Sequence, residues 1–239
     1  SFCISFYMNL LYNMSIPKHI YFCVKEINPL VEKYANHWKT LNPEYTIHIY
    51  DDTMCEAFIF EHFGKKHKTI FRFIRNGPIK ADFWRVCMLY IHGGVYSDID
   101  NQPFVPIKDF IEKDIDFLTC ISWGWKKHHF NPNLIFCKKG NCIMKRCIDW
   151  YISQYENQKV NKSFYSYWGW SIMNAFQHTL HIKDFKREDG VYEHKGMKIQ
   201  LLLEKNHSNY YKVSNVYKGK TIFNNRYEQW DWRNQTFKS

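Results

Sequence analysis

The most regular hydrophobic pattern in the chain lies within residues 79–92. Apolar side chains recur there at intervals of three and four residues, at Phe83, Val86, Cys87, Tyr90 and Ile91. This spacing predicts a helix with one apolar face. Pro78 stands in the first turn, where proline is tolerated, and Gly93 and Gly94 follow, where glycine commonly ends a helix. Asp82 and Arg85 share another side of the same helix, because residues three apart are neighbours.

A short apolar strand, residues 95–97, is predicted directly after the two glycines, and two aspartates follow it. Asp98 and Asp100 are separated only by Ile99. Because residues i and i+2 of a strand point to the same side, we expect the two carboxylates to converge at the strand end, with Ile99 turned into the core. Carboxylate oxygens are the ligands that Mg²⁺ and Mn²⁺ prefer, so the pair is a candidate metal site. The alternative is a pair of solvated aspartates in a turn.

Strands and helices alternate along the rest of the chain. Apolar runs predict strands at 20–24, 45–50, 116–121 and 131–137, and a β-hairpin at 191–203. Helices are predicted at 29–41, at 54–75 with a break near Gly64, at 141–155 and late within 165–177. Asp51 and Asp52 follow the second strand and are predicted to cap the next helix. The alternation predicts an α/β domain, in which ligands bind at the carboxyl ends of the strands.

Length and charge narrow the class of protein. The 239 residues suit one domain, predicted at 16–239, after an apolar extension at 1–15. Residues 1–13 are too short to span a bilayer and lack a basic leader, so membrane association through them is left open without support. The formal net charge of +10 favours anionic partners. Basic residues are dispersed and no nucleic-acid motif is visible, so nucleic-acid binding is not expected.

The eight cysteines point to a compartment rather than to a metal site. No C-x-x-C pair occurs among them, which disfavours zinc. Most lie inside apolar runs, where free cysteine behaves as a small hydrophobic residue. This usage favours the cytoplasm, while the lumen of the secretory pathway and disulfide pairing stay open.

The run ADFWRVCMLYIHGGVYSDID resembles the signature of the DXD-containing glycosyltransferases of family 32. That signature reads A-x-x-S-D-x-x-R-Y-x-x-L-Y-x-x-G-G-x-Y-x-D-x-D. The positions in register are Asp82, Arg85, Leu89, Tyr90, Gly93, Gly94, Tyr96, Asp98 and Asp100. Alanine stands where the family usually has serine, and Val86 where it has tyrosine. The family includes yeast-type α-mannosyltransferases and bacterial polysaccharide sugar transferases.

The resemblance implies a fold, a reaction and a set of catalytic residues. The fold would be GT-A, a Rossmann-like nucleotide-sugar-binding fold with a mixed, mostly parallel central sheet. The reaction would be metal-dependent, retaining sugar transfer from a UDP- or GDP-sugar to a glycan or protein acceptor, with Mn²⁺ or Mg²⁺. Asp100 would ligate the metal, and Asp98 would hold ribose, sugar or a metal-bound water. Asp82 would bind donor-sugar hydroxyls and Arg85 the sugar or phosphate; the alternative for these two is an ion pair on the helix surface.

Further donor-binding and metal residues are implied more loosely. The family opens on I-P-K-x-I-H-x-x-W, and Val24 stands at the tryptophan, so Tyr21 or Phe22 is predicted to take over stacking on the nucleotide base. The alternative is two ordinary strand aromatics. Trp170 lies where relatives have a helix start near the sugar, so it is predicted to be a platform for the sugar ring; packing in the core is the alternative.

The tail resembles a loop that relatives write I-H-H-x-x-x-S-W. Aligning its tryptophan on Trp230 places Asn224 at a histidine position, where its carbonyl oxygen can still ligate a hard cation. An ordinary surface tail is the alternative. Two rival functions also stay open: an inactive, lectin-like sugar-binding domain and a basic nucleic-acid-binding protein.

Overall fold

A ten-stranded mixed sheet forms the centre of the protein. The computed structural model describes residues 15–122, 129–157, 172–206, 213–225, 230–231 and 236–237. The strands of the sheet are β1 (His19–Cys23), β2 (Thr46–Tyr50), β3 (Gly94–Ser97), β4 (Gln102–Pro103), β5 (Phe117–Ser122), β6 (His129–Cys137), β7 (Gly190–His194), β8 (Met197–Asn206), β9 (Val213–Tyr217) and β10 (Lys220–Asn224). Their order is β2-β1-β3-β6-β5-β8-β9-β10-β4, with β7 on β8. Two short strands, β11 (Trp230–Asp231) and β12 (Thr236–Phe237), pair separately.

Helices connect and cover these strands. They are α1 (Pro29–Leu41), α2 (Asp52–Phe73), α3 (Gly77–His92), α4 (Cys142–Glu156) and α5 (Ile172–Leu180). Asp51 caps α2, because its carboxylate accepts a hydrogen bond from the Met54 amide at 2.8 Å, as expected from the sequence. The expected break near Gly64 is a kink inside α2, where that glycine takes φ 76°. Asn28 and Asn76 cap α1 and α3 in the same way as Asp51 caps α2.

The α/β class with a mixed sheet is confirmed, but the share of parallel pairs is smaller than predicted. Parallel pairs join β1 to β2, β1 to β3 and β5 to β8. The remaining pairs among the described strands of this sheet are antiparallel. The reason is that β6, β9 and β10 each follow the preceding strand by a short reversal, whereas a parallel strand needs a long crossover.

The sheet separates two apolar layers. Helices α2, α3, α4 and α5 pack on one face, where Tyr21, Trp84 and Tyr96 are buried. Helix α1 packs on the other face, where Phe22 and Trp38 are buried. Successive residues of β1 thus alternate between the layers, as the period of a strand requires.

The sheet curls, so that β4 at one end of the strand order lies near β3 in the middle. Strand β4 is the last strand in the order, yet residues 98–101 alone separate it from β3. That short link spans at most about 18 Å, so the sheet must curl until β10 and β4 lie beside the end of β3. The result is a half-barrel that gathers the ends of β3, β5, β8 and β10 around one rim.

Two expectations about the chain as a whole bear on this fold. None of the helices in the described ranges has the length and apolar character needed to cross a membrane. Residues 1–14 of the predicted extension lie outside the described residues. The cysteines that the structure describes are free, and the sulfur atoms of Cys23 and Cys55 are 3.6 Å apart.

Candidate active site

Two glycines connect α3 directly to β3, without an intervening loop. Gly93 has φ 65°, and a Cβ at this position would lie 2.5 Å from the backbone nitrogen of Lys139. Gly94 has φ 101°, and its Cβ would lie 2.9 Å from the carbonyl oxygen of His19. Both backbone conformations and both close approaches exclude a side chain. The Gly-Gly pair therefore fixes how β3, and the aspartates after it, sit against neighbouring backbone.

The D-x-D motif lies in a tight turn rather than on the strand. The Asn101 amide donates to the carbonyl oxygen of Asp98 at 3.1 Å, which closes a turn with Ile99 and Asp100 at its centre. The expectation that strand alternation aligns the two carboxylates is therefore wrong, because β3 ends at Ser97. Ile99 is 6% exposed and lies in the core, as expected. Asp98 and Asp100 are both half-buried at the rim.

Arg85 is the centre of a buried charged cluster. Its Nη2 lies 3.0 Å from Oδ1 of Asp82 and 3.2 Å from Oδ1 of Asp98. Its Nη1 donates to the carbonyl oxygen of Pro132 at 2.7 Å. The guanidinium carbon lies 4.0 Å from the centre of the Tyr96 ring, whose hydroxyl donates to Asp98 at 2.8 Å. Asp82 and Arg85 are 4% and 5% exposed, so they are not the surface ion pair of the alternative interpretation.

Burial acts on the ionisation of both carboxylates. It raises the pKa of Asp82 to about 6, although the Arg85 charge and the Ile172 amide pull it down. Burial likewise raises the pKa of Asp98, against the opposing effects of Arg85 and the Tyr96 hydroxyl. Desolvation disfavours the charged form of a carboxyl, while a nearby cation favours it. The charge of Arg85 thus opposes the effect of burial on the pKa of both carboxylates.

A bulge in β6 holds this cluster from behind, and the sequence analysis did not identify it. Leu118 of β5 pairs with Phe136 of β6 and Cys120 pairs with Asn131, so the register shifts and residues 132–135 lie opposite Thr119. The carbonyl oxygen of Asn133 accepts the Asp98 amide at 2.8 Å and Nδ2 of Asn101 at 2.8 Å. Proline inside a predicted strand was the available signal, since proline there marks an edge or a bulge.

The side chain of Asn133 lies in the same region. It is 5% exposed, and neither of its amide atoms has a hydrogen-bond partner among the described residues. Buried amides normally find partners in protein or water. An unpartnered amide directly behind the D-x-D turn is therefore a candidate for contact with a ligand.

A second buried carboxylate, Glu204, lies at the end of β8 and was also missed. Glu204 is 8% exposed. Its Oε1 accepts hydrogen bonds from Nδ2 of Asn131 at 2.9 Å and from Nδ2 of Asn225 at 2.6 Å. Its Oε2 accepts from the Ser122 hydroxyl. A lone glutamate in an apolar run gave the only sequence signal, because its partners come from three other strands or strand ends.

Asn224, the predicted third metal ligand, is brought to the D-x-D turn. It ends β10 and pairs with Gln102 of β4, two residues after Asp100. Its Oδ1 accepts a hydrogen bond from the Ser214 hydroxyl at 2.8 Å. The curl of the sheet thus brings Asn224 near the D-x-D turn, and its role as a metal ligand stays a prediction.

The donor atoms at the rim fit a hard divalent cation. Asp98, Asp100 and Asn224 supply oxygen atoms only. Across the described ranges, three or more His, Cys, Asp or Glu side chains nowhere converge as a metal site. Mg²⁺ needs no such cage, because one or two carboxylates with substrate phosphates and waters suffice. Asp98, Asp100 and Asn224 are the residues that would hold it, and Asp98 also contacts Arg85 and Tyr96.

The aromatic donor-binding candidates do not gather at the rim. Tyr21 is buried and stacks on His48, with ring centres 5.0 Å apart. Phe22 is fully buried, 6.5 Å from Trp38 between ring centres. Their positions favour the alternative of ordinary strand aromatics. Trp170 lies outside the described residues, and of Trp230 only the backbone of β11 is described, so both stay predictions.

Three proteins of yeasts resemble parts of the chain. Initiation-specific alpha-1,6-mannosyltransferase of Schizosaccharomyces pombe is 32% identical over 43% of the chain, which spans 27% of that relative. The protein of the same name in Candida albicans is 24% identical over 59% of the chain and 43% of the relative. Putative glycosyltransferase HOC1 of Saccharomyces cerevisiae is 25% identical over 36% of the chain and 22% of the relative. The chain thus spans less than half the length of these relatives.

Solved structures resemble the chain more loosely. PaToxG Glycosyltransferase superposes with a TM-score of 0.47 and 17% identity, over 74% of this chain and 77% of that one. The catalytic domain of alpha-toxin from Clostridium novyi superposes with a TM-score of 0.44 and 12% identity, over 67% and 64%.

The family match falls on the segment that builds the site. Residues 29–117 match the glycosyltransferase sugar-binding region containing a DXD motif. This range runs from α1 to the start of β5 and includes Asp82, Arg85, Asp98 and Asp100. The match agrees with the resemblance to a DXD-containing glycosyltransferase family that the sequence predicted. Residues 29–117 thus resemble the family of glycosyltransferases whose sugar-binding region contains a DXD motif.

Proposed function

We propose that this protein is a metal-dependent, retaining glycosyltransferase that moves a sugar from a nucleotide diphosphate sugar to a glycan or protein acceptor. The observation that carries the proposal is the buried Arg85 guanidinium between Asp82 and Asp98. Removing three charged groups from water is costly unless they are mutually paired. A cluster with this cost at the carboxyl end of a strand is typical of a binding site rather than of a structural contact.

Each residue of the cluster has a role in the proposal. Asp100, with Asn224, holds Mn²⁺ or Mg²⁺, which when bound neutralises charge on the leaving diphosphate. Asp98 holds ribose, sugar or a metal-bound water. Asp82 accepts hydrogen bonds from hydroxyls of the donor sugar, and Arg85 binds the sugar or a phosphate oxygen.

The proposed stereochemistry follows from how the carboxylates are held. A nucleophilic carboxylate must approach the reacting carbon with a free oxygen. Asp82 is bound through Oδ1 to Arg85 and through Oδ2 to the Ile172 amide at 3.3 Å, so both of its oxygens are already engaged. These contacts support front-face attack by the acceptor hydroxyl, in which the electrostatics of the site stabilise the leaving group.

The relatives suggest which donor to test first. Two of them carry the name alpha-1,6-mannosyltransferase. A GDP-linked mannose is therefore the first donor of the panel, followed by UDP-linked hexoses and N-acetylhexosamines. An inactive sugar-binding domain is the second candidate, and burial of Tyr21 and Phe22 favours it because base stacking through those rings is lost.

The test is donor hydrolysis with Mn²⁺ present, for the wild type, Asp100→Ala and Asp109→Ala. Asp109 is an exposed aspartate of the same region and serves as the control. We expect one donor to be turned over in a manner that requires both the metal and Asp100, and that Asp109→Ala leaves unchanged. Sugar binding without release of a nucleotide diphosphate from any donor would establish the inactive domain instead. Neither binding nor turnover would reject both candidates.

A further inference from the structure

We infer that Glu204 is a positioning residue that couples the two halves of the active site, an inference that rests on the proposed function. Glu204 lies on β8, outside the family-matched range, and none of the roles above uses it. Its carboxylate receives three hydrogen bonds, from Asn131, Asn225 and Ser122. These partners come from three separate segments of the chain. Two of them, Asn131 and Asn225, are connected by hydrogen bonds or by the backbone to residues of the site.

The first connection runs through the β6 bulge. Asn131, which donates to Glu204, also accepts the Asn133 amide at its Oδ1, over 3.2 Å. The carbonyl oxygen of Pro132 then holds Arg85, and that of Asn133 holds the Asp98 amide. Fixing the Asn131 side chain therefore fixes the backbone that orients Arg85 and the D-x-D turn.

The second connection runs through the end of β10. Asn225 donates to Glu204 at 2.6 Å, and its backbone amide donates to the carbonyl oxygen of Val213 at 2.8 Å. Its side-chain oxygen accepts from Nδ2 of Asn215. Asn224 is the adjacent residue, so these bonds help to fix the backbone that carries its side chain, whose Oδ1 also accepts from the Ser214 hydroxyl. A single carboxylate thus ties the residues for sugar and phosphate to the third candidate metal ligand.

The contacts indicate that shape matters at Glu204 more than charge. The partners are two amides and a hydroxyl, and no ion pair of Glu204 occurs among the described residues. A glutamine can reproduce the pattern: its oxygen accepts from both asparagines, and its amino group donates to the Ser122 oxygen. An alanine removes all three bonds and leaves the half-buried amides of Asn131 and Asn225 without this partner. Glutamine and alanine at this position therefore separate positioning from direct contact with a ligand.

The decisive experiment is amide hydrogen exchange of the full chain, comparing Glu204→Ala and Glu204→Gln with the wild type. We expect Glu204→Ala to accelerate exchange at least about tenfold in peptides covering residues 94–103 and 129–137, because local opening becomes easier. Strand β2, which lies at the edge of the sheet and does not pair with β3, should exchange at the wild-type rate. Glu204→Gln should match the wild type in all of these peptides.

Asp116→Ala is the matched control. Asp116 is a half-buried carboxylate that binds Lys138 and the Lys198 amide. These contacts lie at the other end of strands β5, β6 and β8, away from Glu204. Its loss should leave exchange in residues 94–103 unchanged. Wild-type exchange in Glu204→Ala would overturn the inference. Equally fast exchange in Glu204→Gln would also overturn it, because the charge would then be the property that matters.

A binding measurement separates failure of the inference from failure of the proposed function. We expect the affinity for GDP or UDP with Mn²⁺, measured by calorimetry, to fall about 10- to 100-fold in Glu204→Ala and to recover in Glu204→Gln. If the wild type binds neither nucleotide, the proposed function fails, while the exchange data still decide whether Glu204 positions the rim. If wild type and Glu204→Ala bind equally well, the inference fails and the proposed function stands.

Discussion

Nη2 of Arg85 lies 3.2 Å from Oδ1 of Asp98, so the helix before the D-x-D motif and the turn that contains it are joined by a charged contact. The two residues are thirteen positions apart, and a Gly-Gly reversal brings them together. Because Arg85 also holds Asp82 and the Pro132 carbonyl, one side chain links α3, the turn and the β6 bulge. Stability and activity are therefore expected to depend on the same contacts.

Replacing Arg85 by alanine should destabilise the protein strongly. The change leaves the buried Asp82 and the half-buried Asp98 without their cation, a situation that costs about 3–5 kcal/mol in proteins. The free energy of unfolding from a urea titration measures this loss. Arg72→Ala is the control, since Arg72 forms an exposed pair with Glu56 and its loss should leave the urea midpoint nearly unchanged. Equal midpoints for the two variants would contradict the buried cluster.

Gly93→Ala should be much more damaging than Gly64→Ala. The two glycines have nearly the same backbone angles, φ 65° and ψ −165° against φ 76° and ψ −168°. A Cβ at Gly93 meets the Lys139 backbone at 2.5 Å, whereas nothing lies within 4 Å at Gly64. The strain of the backbone conformation, on the order of 1–3 kcal/mol, is common to both, so the difference reports the close approach alone. Thermal unfolding of the two variants gives the comparison. Similar melting temperatures would show that the Lys139 backbone can move away from the added Cβ at little cost.

The stability of the protein should fall as pH rises through the range in which Asp82 titrates. The pKa of Asp82 is raised from its ordinary value of 3.8 to about 6, so the folded state retains a proton that the unfolded state has lost. Stability from this group is full below about pH 4 and declines up to about pH 6. Asp82→Asn removes the titration.

The stability difference between Asp82→Asn and the wild type is the measurement that isolates this group. Relative to the wild type, the free energy of unfolding of Asp82→Asn should increase by on the order of 2–3 kcal/mol between about pH 4 and about pH 7. This size follows from the shift of about two pKa units. Denaturant titrations at several pH values provide the difference. A constant difference across this range would mean that Asp82 titrates at its ordinary pKa.

Asn substitutions at Asp98 and Asp100 should have different consequences. Asp98→Asn weakens the contacts to Arg85 and Tyr96, so it should lower both the melting temperature and donor turnover. Asp100 lies at the centre of the turn. Its replacement by asparagine should lower donor turnover about 100-fold or more, with a smaller change in melting temperature. Melting curves and donor hydrolysis rates on the same preparations test the contrast. Loss of stability in Asp100→Asn as large as in Asp98→Asn would contradict the assigned roles.

Patterns local in sequence predicted much of the fold. The helix over residues 79–92, its end at two glycines, the Asp51 cap and the break near Gly64 all appear in the structure. Each depends on contacts within a few residues, for which propensity and capping rules hold. The share of parallel pairs was misjudged, because strand direction depends on how β6, β9 and β10 return and not on their composition.

The sequence by itself determined the D-x-D motif, its helix and the resemblance to a glycosyltransferase family, since these are carried by one continuous stretch. Only the tertiary structure decided that Asp82 and Arg85 are buried, that the motif lies in a turn, and that Asn224 and Glu204 lie at the same rim. Curling of the sheet brings together residues more than one hundred positions apart. Hydrophobic periodicity carries no information about such pairings, because many registers bury the same apolar faces, and packing of the whole chain selects one of them.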